Sequence, residues 1–289
     1  MKRCDRAFIA VLALLAVFIW VRNSSWASTA ADVLPILSAI PVFYWLGAPW
    51  SFRRDPPQFS KRLIGAAIAL LVLGVVSDLT WLLALGWTML LWAWLSARVV
   101  PAHLPQTKKL LVLPCLAFPW VTLDAQPIGW AFRLSGAWVT QQISAWCGYD
   151  AVRHGTQLWL NGYPISVEAA CSGLNTLQSM LIAGSALAFA LLGHRARYWW
   201  NLPFLVALAW VANTTRILAL SWAAVSISPD FAHGQLHQWS GWAVLFLMFC
   251  LCWIVFALQS NDERSAPPRV ECEAYGRKQT LLTRPPSGA

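Results

Sequence analysis

The chain has 289 residues, 58% of them hydrophobic and only 11% charged, and its mean hydropathy is +0.54. A soluble domain of this length carries about twice that charge to cover its surface, so the composition excludes one and indicates a polytopic membrane protein. The formal net charge of +9 does not point to nucleic acid, because the basic residues sit in short loops between apolar runs.

In chain order the apolar runs cover residues 7–21, 30–50, 63–77, 79–97, 110–123, 172–193, 201–223 and 237–258. A bilayer core needs about 20 apolar residues, so these read as about eight spans, with 110–123 the shortest. The first run also fits a signal peptide with Ala27 or Ala30 near a cleavage site, which leaves the sidedness of everything downstream unchanged. Residues 128–147 mix apolar and polar positions at helical spacing and read as an interfacial or re-entrant helix. Residues 151–167 read as a β-hairpin, with Gln157–Leu160, a turn at Asn161-Gly162, and an extended segment from Tyr163. Asn-Gly between apolar runs is the strongest short hairpin signal. The expected fold is thus all-α, a transmembrane helical bundle with an interfacial helix and a short hairpin on the outer side. Residues 1–127 are its N-terminal helices, 128–258 its catalytic core, and 259–289 a disordered tail rich in proline and charge.

Twenty tryptophans suit interfacial belts. Seven cysteines without paired spacing imply no disulfide framework. Placing the N-terminus, the loops 51–62, 98–109 and 194–200, and the tail in the cytoplasm puts 17 of the 21 Lys and Arg inside. Arg22, Arg133 and Arg153 then fall outside, and Arg216 falls within a span. This bias orients the chain with both termini cytoplasmic and residues 124–170 on the outer, periplasmic side of the inner membrane.

Three residues stand out in that frame. Cys171 lies between a polar segment and an apolar helix, where amide groups and the positive end of the helix dipole favour thiolate. Arg216 follows Asn201 by 15 residues in an outward-running helix, which raises it about 22 Å. His237 begins the last, inward-running helix. All three share one depth on the outer side. An intramembrane arginine costs about 2.5–3.5 kcal/mol on insertion scales, which makes it a functional candidate by default.

The stretches Cys171-Ser-Gly after an acidic residue, Asn213-Thr-Thr-Arg216 and His237-Gln-Trp-Ser-Gly-Trp242 resemble the signatures of the exosortase/archaeosortase family over roughly residues 128–258. Two alanines separate Glu168 from Cys171 where the familiar form has one residue, and the Arg stretch is more polar, with Thr214 and Thr215. The resemblance implies a membrane cysteine transpeptidase that processes C-terminal sorting signals. Cys171 would be its nucleophile, His237 its proton-transfer partner and Arg216 the group holding the substrate carbonyl. Glu168, Ser172, Gly173, Asn213 and Gly241 are the supporting candidates. The implied partners are membrane lipids and exported proteins ending in a motif, a transmembrane helix and a basic tail.

The chemistry agrees on its own terms. A thiolate forms a thioester with a peptide carbonyl, and an amine, hydroxyl or water resolves it. No cofactor is implied, and no metal, although His233 and His237 have the spacing of a ligand pair. Cys4, Cys115, Cys147, Cys250, Cys252 and Cys272 read as apolar fillers, and His103, His154 and His194 as loop residues. The competing class is a transporter or scaffold in which Arg216 binds an anionic ligand; no inverted repeat supports it.

Overall fold

Apolar runs without bilayer water to satisfy their backbones fold as helices, because a helix pairs its own amides and carbonyls. The computed structural model describes residues 3–27, 30–53, 55, 58–167, 172–228 and 235–262. Four helices come first: α1 (Arg3–Arg22), α2 (Ala30–Leu46), α3 (Lys61–Val76) and α4 (Thr80–Arg98). Later come α9 (Leu174–Leu192), α10 (Asn201–Ser226) and α11 (Gln235–Asp262). Among the described residues, four stretches are long and apolar enough to cross a membrane: Thr80–Arg98, Leu174–Leu192, Tyr198–Ser226 and Trp239–Asn261. The expected eight are not reached by this criterion. Helices α2 and α3, at 17 and 16 residues, rise only about 24–26 Å against a bilayer core of about 30 Å.

The run at 110–123 forms no span. It breaks into α5 (Leu104–Leu110), α6 (Val112–Leu116) and α7 (Trp120–Asp124). Pro114 and Pro119 lack the amide that a continuous helix needs there. The carbonyls freed by the break are taken up by protein. The Gln178 amide donates to Leu116 O at 3.1 Å and Phe118 O at 2.8 Å, and Trp20 Nε1 donates to Ala117 O at 2.8 Å. Phe118 is wholly buried, its ring against Trp20 and Trp87. Irregular backbone at membrane depth is tolerated when protein covers it in this way.

Residues 128–147 fall in one regular helix, α8 (Gln126–Trp146). Its buried residues Gly129, Phe132, Gly136, Ala137, Thr140 and Ser144 recur every three or four positions and so form one stripe. A three-stranded antiparallel sheet follows: β1 (Ala151–His154), β2 (Gln157–Leu160) and β3 (Tyr163–Ser166). The expected hairpin is its β2–β3 half, turning at Asn161 (φ +51°) and Gly162 (φ +78°). The additional strand is β1, joined to β2 by a turn through Gly155 at φ +64°.

Trp26, Leu113, Met180, Leu205 and Phe256 belong to one buried cluster, so elements before and after residue 127 share a core. At one end of the bundle, Arg98 clamps Asp5 with both side chains buried, NH2 to Oδ2 at 2.6 Å and Nε to Oδ1 at 2.9 Å. At the same end Arg195 donates to the carbonyls of Gln259 (2.6 Å) and Ser260 (2.8 Å). Helix α11 therefore continues to Asp262, and residues 259–262 are helical where a disordered tail is expected. The rest of that tail lies outside the described residues.

Candidate active site

Helix α9 begins under close contact. Gly173 caps its start at φ +75°, a left-handed conformation that L side chains rarely adopt. A Cβ at this position would stand 2.6 Å from Asn213 Cγ and 2.9 Å from its Oδ1. Only glycine lets the α9 terminus dock on α10 here. Further along, Gly184 of α9 touches Leu205 of α10. Partner positions rise on one helix as they fall on the other, so the two helices run antiparallel. The N-cap residue Gly173 offers the first turn of α9 no side-chain hydrogen bond, and residues 168–171 precede it. That segment, with Glu168 and Cys171, lies outside the described residues, and Ser172 is the first described residue after it.

Arg216 sits just under one turn beyond Asn213 on α10. It is half-buried, and its Nε donates to Ser240 Oγ of α11 at 3.4 Å. A Cβ on Gly241 would lie 3.8 Å from Arg216 Cζ, ordinary van der Waals contact, which places the guanidinium beside this turn of α11. Position 237 precedes 240 and 241 by three and four residues, on the helix face that these two show to Arg216. The His237 side chain and His233 lie outside the described residues. Among the described residues no three His, Cys, Asp or Glu side chains gather as a metal site.

The structure thus brings Gly173, Asn213, Arg216 and Gly241 together, with Ser172 alongside and position 237 one turn away. The meeting point is not the tip of the bundle. Helix α9, at 19 residues, spans about 28 Å, whereas α10 runs about 15 Å past Arg216 before it ends at Ser226. Helix α8 packs along α10 up to that overhang, where the sheet covers it. Trp210 Nε1 donates to Ser135 Oγ at 2.8 Å and Trp222 Nε1 to Ser144 Oγ at 2.9 Å. Partner positions rise together, so α8 runs parallel to α10. Sheet residue Ile165 packs on Ala223 and Ala224, and Val167 on Ala137 and Ile217.

Sequence reading missed two features. The first is a polar brace one turn into α9. Thr122 Oγ1 donates toward Asn175 Oδ1 and Gln178 Oε1, each at 3.2 Å, and so ties α9 to α7. The second is Arg133, half-buried on the inward face of α8 between Gly129 and Gly136. A Cβ on Gly129 would meet Ser172 Cβ at 3.1 Å, and one on Gly136 would meet Ile217 Cδ1 at 2.9 Å. The signal for Arg133 is a cation on a face whose buried residues are all uncharged. It becomes visible once the helix period is laid over residues 126–146.

The family model described as transmembrane exosortase (Exosortase_EpsH) matches residues 5–254 of the chain. No match was found among the curated proteins or among the solved structures.

Proposed function

The chain belongs to the transmembrane exosortase family, and we propose that it is a membrane cysteine transpeptidase acting on the C-terminal sorting signal of exported proteins. The observation that carries this reading is the meeting of the α9 start, the middle of α10 and the first turns of α11 at Asn213 and Arg216. Those are the three places where sequence puts a thiol, a fixed cation and an imidazole.

The Cys171 thiolate attacks the carbonyl carbon of the scissile peptide bond. The oxygen gains negative charge, and Arg216 meets it with donors that stay charged at any relevant pH. The C–N bond then breaks, the C-terminal fragment leaves as an amine, and the imidazolium of His237 supplies the proton. An acyl thioester remains on Cys171, and a second nucleophile, an amine, hydroxyl or water, displaces the sulfur. Gly173 seats the α9 start against Asn213 of α10, and Ser172 lies beside Gly129 of α8. Gly241 lies beside the Arg216 guanidinium, and Glu168 is a supporting residue in the segment before Cys171.

The protein resides in the inner membrane as a multi-pass chain with both termini cytoplasmic and the site on the periplasmic side. Its substrates are exported proteins with a short motif, a transmembrane helix and a basic tail, held within the lipid. The test is Cys171→Ala in cells that carry a C-terminally tagged substrate. A transpeptidase loses all processing while its level in the membrane holds. Processing that survives Cys171→Ala would exclude the thiol mechanism and leave a transporter or scaffold.

A further inference from the structure

Helix α9 begins at the candidate active site, and at its other end three chain segments close around a cavity of about 360 Å³. They are the turn after α2 (residues 46–51), the stretch from Val99 to Leu110, and the last turn of α9 up to His194.

Hydrogen bonds hold each wall in place. Trp50 Nε1 donates to Tyr44 O at 2.9 Å, which folds the turn back on α2. Val100 N donates to Ser51 O at 3.0 Å and Arg53 N to Arg98 O at 2.7 Å, so the segment after the turn pairs with residues 98–100. Lys109 Nζ donates to Gly193 O (2.9 Å) and Arg195 O (2.6 Å), which pins α5 to the end of α9. The same ammonium offsets the negative end of the α9 dipole, which would otherwise repel an anion.

The lining is divided by polarity. Val99, Leu110 and Phe189 make an apolar wall, while Ser51, His103, Gln106 and His194 bring hydroxyl, imidazole and amide groups. The Gln106 amide donates to His194 Nδ1 at 2.7 Å, so the neutral ring keeps its proton on Nε2 and can donate it. Among the described residues no acidic side chain lines the cavity. Asp5, the buried carboxylate at this end, is taken by Arg98. Arg53 Nε reaches Val99 O at 3.0 Å, and Lys108 and Lys109 follow Thr107 on α5. Donors inside a basic rim suit an anion with oxygen acceptors.

The apolar side indicates that this anion is carried on a lipid. Leu46, Ala48 and Pro49 line the cavity and also an apolar groove beside it, completed by Trp45. Tyr44 and Trp45 are 68% and 73% exposed, as aromatic rings at a membrane interface are. A free anion gains nothing from such a groove, whereas an acyl chain gains with every methylene it buries.

We propose that this cavity binds the headgroup of an anionic phospholipid, with the phosphate at His103, Gln106 and His194 and an acyl chain in the groove at Trp45. The proposal is independent of the reading of Cys171. A zwitterionic lipid would bring an ammonium group to a rim that has no carboxylate to meet it, so the site discriminates by headgroup charge.

Native mass spectrometry of the full-length protein in detergent tests this, with phosphatidylglycerol and phosphatidylethanolamine of the same acyl chains at equal concentration. The wild type should retain phosphatidylglycerol about tenfold more. His103→Ala combined with His194→Ala should remove most of that ratio, a tenfold loss being the scale of one hydrogen bond to a charged group. Ala190→Phe keeps every polar group but fills the cavity from α9, and should weaken retention as well. His154→Ala, at an exposed position on the sheet, should change nothing. Equal retention of the two lipids by the wild type overturns the proposal. So does a ratio that survives both cavity variants, or one that falls as far in His154→Ala, because surface charge alone would then be at work. Glycerol 1-phosphate that displaces the lipid at equal concentration would show a phosphate site with no use for the groove, and overturns the lipid assignment.

Discussion

Gly173 and Asn213 touch so closely that a single methyl group between them, at 2.6 Å from Asn213 Cγ, has no place to go. This contact fixes the height at which α9 begins against α10. Gly173→Ala should fail on two counts, a left-handed backbone costing of order 1–3 kcal/mol and an overpacked contact costing about as much. Thermal unfolding in detergent should shift down, and alkylation of Cys171 should slow. An alanine variant with wild-type unfolding and alkylation would mean that α9 is not seated by this contact.

Arg216 contacts α11 through Ser240 and lies beside Gly241. If its work is to donate two fixed hydrogen bonds, lysine does not replace it, because the ammonium lacks the planar fork and is harder to desolvate. Arg216→Lys should lower substrate processing by about 10²–10³, the usual scale for one lost oxyanion donor, with the protein still present in the membrane. Full processing by the lysine variant would reduce Arg216 to a point charge.

The buried pair of Asp5 and Arg98 joins the first turn of α1 to the last turn of α4. Removing one partner leaves an uncompensated buried charge, so Asp5→Ala should destabilise the protein by about 3–5 kcal/mol, whereas replacing both with apolar residues should recover much of the loss. Unfolding midpoints of the two single variants and the double variant measure this. Additive losses would show that the pair contributes no coupling.

The proposed orientation puts the sheet outside the cell membrane and the loop between α2 and α3 inside. In a background without other reactive thiols, an impermeant maleimide should label His154→Cys in intact cells and leave Gln58→Cys unlabelled until the membrane is opened. Both positions are exposed. The reverse pattern would place the site in the cytoplasm and rule out exported substrates.

Much of this was legible where the physics is local. Asn161-Gly162 announces its turn because both residues tolerate positive φ. Helices α9, α10 and α11 follow from apolar length alone. The run at 110–123 misled because hydropathy does not register that Pro114 and Pro119 interrupt the backbone ladder. The side chain that makes the break tolerable, Gln178, comes about 60 residues later. The α8–α10 seam was hidden for a similar reason. Its tryptophan–serine bonds link residues 75 and 78 positions apart, and nothing in the spacing of either helix names its partner. Arg216, Asn213 and Gly241 were legible as candidates from sequence, but their meeting is a property of the tertiary packing.

The central claim is a covalent acyl-enzyme on Cys171, and intact-mass measurement of the purified protein tests it most directly. After brief exposure to a substrate and rapid acid quench, the protein should gain the mass of the fragment upstream of the cleaved bond. The adduct should map to the peptide that holds Cys171, vanish with hydroxylamine, and be absent from Cys171→Ser. Processing that proceeds with no adduct on Cys171 at any time, or an adduct on another residue, would contradict the thioester mechanism.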